Sequence, residues 1–253
     1  MKILYLGNNL TGLNVLEWLI EQGESIVGVS IHPDERAKYK NEIIAASRLS
    51  SKKIFDGSSI NRPEVVEQIE ALQPDIILSV LFGYKLSSKV LTIPSKGCIN
   101  LHPSYLPFNR GVYPNVWAII DGTPAGVTLH YMDEGFDTGD IIAQRKVSLY
   151  FYDTGESLYH RLEQESLKLF KEVWPGIKHG TLKRLKQALQ GTYHSKKDVE
   201  IIDHIDLDKS YEARELINIL RARTFYPYDG AFVEVEGKKI FLRLELDEMK
   251  GSS

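Results

Sequence analysis

The chain has 253 residues, 43% of them hydrophobic and 26% charged; this excludes a disordered or fibrous chain and fits one large domain with an appendage or two unequal domains. Lys and Arg number 31 against 34 Asp and Glu, a net charge of −3, so no global positive field favours a nucleic-acid partner. Cys98 is the only cysteine, which rules out an intrachain disulfide and a cysteine-rich zinc site and suits a reducing compartment.

Residues 2–6 form a short apolar run ending at Gly7, too short for a signal peptide or a membrane span, so a cytoplasmic protein is expected. Leu13, Leu16, Leu19 and Ile20 then recur at helical spacing until Gly23. The intervening Gly7-Asn8-Asn9-Leu10-Thr11-Gly12 sits where dinucleotide loops occur, but it lacks the three-glycine spacing and the phosphate-loop Lys. It is expected to be a tight strand-to-helix turn, with no NAD. Ile26–Ile31 is a second strand, and residues 34–51 are weakly periodic. Asn61 with Glu64 three residues later has the reciprocal capping pattern, and Val65, Val66, Ile69 and Leu72 make a stripe, so a helix is expected over 62–73.

Strands are expected over 75–80 and 97–101 with a short helix at 86–91 between them. Residues 113–120 have a helical pattern, 125–132 and 141–149 are strands around a Gly-rich loop, and 155–173 is the clearest helix, expected to close the first domain. Beyond it come a polar segment over 194–208, a helix at about 210–223, and two strands, 232–235 and 239–244, around Glu236-Gly237. Strands alternating with helices argue for an α/β fold: a mostly parallel sheet with helices on both faces, followed by a small helical and β-hairpin segment. The expected boundary lies at 175/176. The terminal Gly251-Ser252-Ser253 is left out of this reading.

The informative stretch is Gly97-Cys98-Ile99-Asn100-Leu101-His102-Pro103-Ser104-Tyr105-Leu106-Pro107. Strand alternation puts Cys98, Asn100 and His102 on one face, at the carboxyl end where open parallel sheets bind ligands. An amide and an imidazole there can donate to a developing oxyanion, and the imidazole can move protons near neutral pH. A buried Asn and His satisfied by backbone is an equal reading of these residues alone. The loop Met132-Asp133-Glu134-Gly135-Phe136-Asp137-Thr138-Gly139-Asp140 offers three carboxylates as a partner for His102, and alone it would be a solvated acidic turn. A parallel sheet would bring Asp137 and His102 to the same edge. His130 is expected to be a satisfied core residue. His32, His160, His179, His194 and His204 show no metal-ligand spacing, so no metal is expected.

In order along the chain, Asn100-x-His102, the following Pro-Ser-x-Leu-Pro, Arg110-Gly111, Gly126-Val127-Thr128-Leu129-His130 and Asp137-x-Gly139 resemble the folate-dependent formyltransferases over roughly residues 1–175. The resemblance implies a Rossmann-like fold, 10-formyltetrahydrofolate as co-substrate, and Asn100, His102 and Asp137 as the catalytic trio. It places the folate against Leu81, Phe82, Gly83 and Tyr84 and the Asp133, Glu134 and Gly135 backbone, although core packing explains Phe82 and Tyr84 equally well. Residues 175–253 hold 14 Lys and Arg against 13 Asp and Glu, unlike a basic tRNA-binding domain. Arg221-Ala222-Arg223-Thr224-Phe225-Tyr226-Pro227-Tyr228 followed by a hairpin resembles the tail of the sugar N-formyltransferases. The acceptor implied is a nucleotide-linked amino deoxysugar of surface polysaccharide (O-antigen) synthesis, with Arg110, Gly111, Tyr113, Arg223, Tyr226 and Tyr228 as its contacts. The alternatives are glycinamide ribonucleotide, methionyl-tRNA, or a noncatalytic sugar-nucleotide binder. Leu242, Leu244 and Leu246 alternate with charge, an edge suited to pairing in a homodimer.

Overall fold

The computed structural model describes residues 1–188 and 190–247, so the Gly-Ser-Ser terminus lies outside the described residues. In chain order the elements are β1 (Lys2–Gly7), α1 (Asn9–Glu21), β2 (Ser25–Ile31), α2 (Lys40–Ser47), β3 (Ile54–Asp56), α3 (Pro63–Leu72), β4 (Ile76–Val80), α4 (Ser88–Thr92), β5 (Cys98–His102), β6 (Arg110–Gly111), α5 (Pro114–Ile120), β7 (Gly126–Tyr131), β8 (Ile141–Lys146), α6 (Gly155–His179), β9 (Tyr193–His194), α7 (Lys196–Asp203), α8 (Ala213–Ala222), β10 (Phe232–Val235) and β11 (Lys238–Phe241). Two compact units result. The first comprises Met1–His102, Val127–Arg145 and Gln164–Ala188; among the described residues the second comprises Pro103–Gly126, Lys146–Glu163 and residues 190–247.

The first unit holds a seven-stranded sheet in the order β3-β2-β1-β4-β5-β7-β8. The sheet is flanked by helices, a Rossmann-like architecture as the alternation of elements implies. β1, β2, β3, β4 and β5 pair in parallel, and β5 pairs with β7 antiparallel. The chain moves from β1 outward to β2 and β3 and then returns to place β4 on the other side of β1. The carboxyl ends of β1 and β4 therefore form the switch point where such sheets open a ligand crevice.

α1 buries Leu13, Leu16 and Leu19 as its spacing dictates, and truncating one such leucine to alanine typically costs about 2–5 kcal/mol. The glycine turn before α1 is filled from within: the fully buried Tyr5 hydroxyl donates to the Gly12 carbonyl, and a Cβ on Gly7 would lie 2.4 Å from the Tyr5 ring. α3 is where the stripe predicts it, but its N-cap is Arg62 and makes no side-chain capping bond. Asn61 instead accepts from Ser87 N and donates to Lys85 O, tying the segment after β4 to the entrance of α3. α6 runs through Pro175 to His179, six residues past the expected end at 173. The buried Trp174 and Ile177 reward its continuation, which offsets the hydrogen bond a helical proline removes.

In the second unit β6 pairs in parallel with β9, and α5 packs on α8. The β10–β11 hairpin turns at Glu236-Gly237, both with positive φ. Ile205, Ile219, Ala231 and Val233 form its small core, and Leu242 packs against them rather than continuing a strand edge. Val235, Ile240 and Phe241 are the exposed apolar residues of the hairpin.

Candidate active site

β5 delivers Asn100 and His102 side by side on one face, with Ile99 and Leu101 buried on the other. β7 is antiparallel to β5, with Asn100 opposite His130 and His102 opposite Thr128. This corrects the parallel placement expected for Asp137. β7 runs away from His102, and the 132–140 loop must double back: Tyr131 N donates to Asp140 O at 2.8 Å. Gly139 permits the turn, because a Cβ there would lie 1.9 Å from the Tyr131 carbonyl oxygen. Asp137, at φ +55, thus returns to Asn100, His102 and His130 over the face of the sheet.

The Asn100 amide nitrogen lies 3.2 Å from both Asp137 Oδ1 and His130 Nε2. His130 Nδ1 is 2.8 Å from the Tyr131 carbonyl, which can only accept, so the proton sits on Nδ1 and Nε2 offers a lone pair to the amide. Asp137 Oδ2 is 3.7 Å from His102 Nε2, an ion-pairing distance rather than a hydrogen bond, and Asp137 Oδ1 is 3.4 Å from His130 Nε2. His102 is buried, and the Asp137 side chain nearly so. The cluster unites a carboxylate, an amide donor and two imidazoles, the groups needed to stabilise an oxyanion and move a proton.

His130, expected to be a satisfied core residue, is a member of this cluster. Alternation along 126–131 does not carry strand direction; it is the antiparallel pairing that puts His130 beside Asn100. A second participant, Gln187, carried no motif. Its Nε2 donates to the Asp137 carbonyl at 2.7 Å and to the Gly139 carbonyl at 2.8 Å, pinning the turn that carries Asp137. Within the same loop Asp133 Oδ1 accepts from Gly135 N and Thr138 Oγ1 at 2.9 and 2.6 Å, so this carboxylate shapes the loop, while Glu134 and Gly135 are exposed.

Leu81, Phe82, Gly83 and Tyr84 follow β4 at the switch point, and Leu81 turns the chain at φ +54. Phe82 is buried in the core with Leu4, Leu6 and Phe55, and Tyr84 is partly buried against it. Both rings flank His32, at 5.4 and 5.1 Å between centroids. Burial pushes the lone Cys98 thiol up to about 12, which leaves it unreactive beneath this region.

The residues expected to meet the acceptor sugar lie in the second unit. Arg110 and Gly111 form β6. Tyr113, at φ +54, is exposed at the N-cap of α5, and the Arg223 guanidinium lies 5.9 Å from its ring centroid. Arg223 is also bound in two places by Asp203 and donates to the Asp229 carbonyl. Tyr226 and Tyr228 are exposed, Tyr228 set edge-on to Phe225. Among the described residues no group of His, Cys, Asp and Glu could hold a metal ion, and no helix is long and apolar enough to cross a membrane.

Residues 32–174, more than half of the chain, match the formyl transferase family model. The chain belongs to this family. Residues 198–248 match the N-formyltransferase dimerization C-terminal domain. The chain is 32% identical over 247 residues to a methionyl-tRNA formyltransferase of Lachnospira eligens, covering 95% of this chain and 77% of that protein. A 4-N formyltransferase from Francisella tularensis superposes with a TM-score of 0.81 at 28% identity, covering 98% of both chains. The formyltransferase PseJ from Anoxybacillus kamchatkensis, solved with UDP-4,6-dideoxy-4-formamido-L-AltNAc and tetrahydrofolate, is 34% identical with a TM-score of 0.57 over 79% of this chain and 89% of that one. The protein is a formyltransferase, and its formyl donor is 10-formyltetrahydrofolate.

Proposed function

We propose that this formyltransferase acts on the amino group of a nucleotide-linked amino deoxysugar, such as a 4-amino-4,6-dideoxyhexose, in the cytoplasmic synthesis of a surface polysaccharide of the O-antigen or lipopolysaccharide kind. The observation that carries this reading is the likeness to the 4-N formyltransferase, which runs over 98% of both chains and so includes the tail. The near-neutral charge of residues 175–253 supports it, since a tRNA acceptor demands a positive field. The match to a methionyl-tRNA formyltransferase over 95% of the chain keeps that acceptor as the second reading.

The acceptor amine attacks the formyl carbon, a C–N bond forms, and the carbonyl electron pair moves onto oxygen. Asn100 and protonated His102 hold this oxyanion, Asn100 giving up one of its two resting hydrogen bonds to do so. Such a donor is typically worth a hundredfold to a thousandfold, or roughly 2.7–4 kcal/mol. Asp137 stabilises the imidazolium, and the ammonium proton passes to Asp137, or to His102 once the imidazolium has given its own proton to the folate nitrogen. Collapse then breaks the bond from carbon to the folate nitrogen, which leaves with a proton. His130, with its Nδ1 proton held by the Tyr131 carbonyl, keeps the Asn100 amide aimed.

The loop Leu81–Tyr84 and the Asp133–Gly135 backbone border the folate, because backbone groups beside aromatic rings at the switch point suit a flat heterocycle ringed with hydrogen-bonding atoms. Arg110, Gly111, Tyr113, Arg223, Tyr226 and Tyr228 are the proposed acceptor contacts. The dimerization-domain match and the exposed Val235, Ile240 and Phe241 support a homodimer joined through the hairpin. The test is incubation with 10-formyltetrahydrofolate and a panel of dTDP-, UDP- and GDP-linked amino sugars, glycinamide ribonucleotide and methionyl-tRNA. Turnover of an amino sugar is expected; turnover of methionyl-tRNA or glycinamide ribonucleotide alone, or of no acceptor, overturns the reading.

A further inference from the structure

His32, at the carboxyl end of β2, is 6% exposed and takes no part in the chemistry above. Two N–H groups lie against its ring. Gly83 N–H points at Nε2 from 3.1 Å, and the Asn8 amide nitrogen lies 2.9 Å from Nδ1, where the Arg36 carbonyl also sits at 3.3 Å. Asn8 is fixed in this orientation because its Oδ1 accepts from Lys38 N at 2.7 Å. A neutral ring with its proton on Nδ1 donates to the Arg36 carbonyl and accepts from Gly83. The Asn8 amide, facing the protonated Nδ1, donates instead to the Arg36 carbonyl at 3.3 Å, and an imidazolium, with no lone pair, can no longer accept from Gly83.

We propose that neutral His32 is a positioning residue for the folate-binding loop, holding Leu81–Tyr84 in place through Gly83 N–H, and that protonating His32 releases the loop and weakens folate binding. This rests on the assignment of the folate to that loop. The three strands at the switch point supply its parts: Asn8 follows β1, His32 follows β2 and Gly83 follows β4. The charged and titratable groups facing the ring are Arg36 from the segment after His32, Asp56 from β3 and Tyr84 from the loop itself, with Phe82 apolar beside it. Burial, with the Arg36 charge adding to it, holds the imidazole below its ordinary value, against smaller opposing effects of the Arg36 carbonyl and Asp56. The neutral form is therefore favoured by the fold, and its contribution is complete above the ordinary histidine range and lost as pH falls through the lowered value.

The dissociation constant of tetrahydrofolate is measured from pH 7.5 to pH 5 for the full chain and for His32→Gln and His32→Ala. Glutamine places a non-titrating oxygen acceptor near the Nε2 position. Acidification is expected to weaken the wild type by roughly three- to tenfold, the worth of about one hydrogen bond, beyond any change seen in His32→Gln. The ligand's own titration is common to both. His32→Ala is expected to bind weakly throughout, without the extra pH dependence. Hydrogen exchange at the Gly83 amide reads the same contact without folate: protection falls on acidification in the wild type and holds in His32→Gln. Equal pH courses in wild type and His32→Gln, in either measurement, overturn the proposal. An unchanged folate affinity in Tyr84→Ala sinks instead the placement of folate at this loop, and the Gly83 exchange still decides the contact to His32.

Discussion

Two clusters, one in each unit, use similar side chains in opposite ways. In the first, Asp137 meets an amide and two imidazoles at 3.2–3.7 Å. In the second, charges are consumed. Asp153 is gripped by both terminal nitrogens of Arg161 at 2.9 and 2.6 Å and by Tyr150 N and Ser157 Oγ. Burial alone would push its pKa up, and these hydrogen bonds outweigh it and hold it below the usual carboxylate range. Arg221, 4% exposed, donates to the Tyr150 and Asp153 carbonyls and to Asn218. A saturated pair is glue, because every donor already has its acceptor, whereas loosely spaced groups retain the capacity to rebind around a changing charge.

The largest expected effect tests the loosely spaced cluster. Asp137→Asn keeps the shape and the amide-sized side chain but removes the charge that stabilises protonated His102. Formyl transfer is expected to fall by about a thousandfold or more, with stability changed by less than about 1–2 kcal/mol. His102→Asn is expected to behave alike. Steady-state rates beside urea unfolding check both, and near wild-type turnover in either variant would remove Asp137 or His102 from the chemistry.

The converse holds for Arg221. Arg221→Met preserves most of the side-chain volume yet takes the Arg221 donor from the buried Asp153 carbonyl and leaves the Tyr150 carbonyl with only the Asp153 N–H, which costs about 1–3 kcal/mol of stability. At a temperature where the variant stays folded, kcat is expected within about threefold of wild type. A large loss of kcat without a shift in the unfolding midpoint would show that this saturated network also serves the reaction, and the contrast between the units would fail.

Legibility followed the length and pairing of each segment. Asn100 and His102 were readable because two-residue alternation within one strand fixes a shared face whatever the neighbours are. Placing Asp137 needed the direction of the partner strand, which alternation does not carry, so the antiparallel β7 and the inclusion of His130 were invisible. β3, β6 and β9 span only 2–3 residues, too few for any period to show. α7 hides in a polar segment because Val199 is its only buried residue. Asn61 had the right spacing for a cap, but its amide found better use spanning Lys85 and Ser87. The expected end of α6 at 173 falls six residues short because the burial of Trp174 and Ile177, which rewards its continuation, is not visible in sequence.

The smallest expected effect separates geometry from charge within the first unit. Gln187 reaches the turn through its main chain, donating to the carbonyls of Asp137 and Gly139, so Gln187→Ala removes no reacting group. What it removes is the tie that holds a left-handed, non-glycine residue at φ +55, a conformation that costs of order 1 kcal/mol and persists only where its surroundings impose it. Without the tie Asp137 spends less time within reach of His102. The expected loss is roughly tenfold in kcat with little change in KM for either substrate, since a misplaced catalytic group lowers the transition state's share of binding and not the ground state's. Gln187→Glu supplies the sharper control: it keeps the length but presents oxygens to the two carbonyls, and is expected to be at least as slow as the alanine variant. If Gln187→Ala raised KM for folate while sparing kcat, the loop's role would be binding, and the turn would hold the Asp133–Gly135 backbone for the cofactor rather than Asp137 for the reaction.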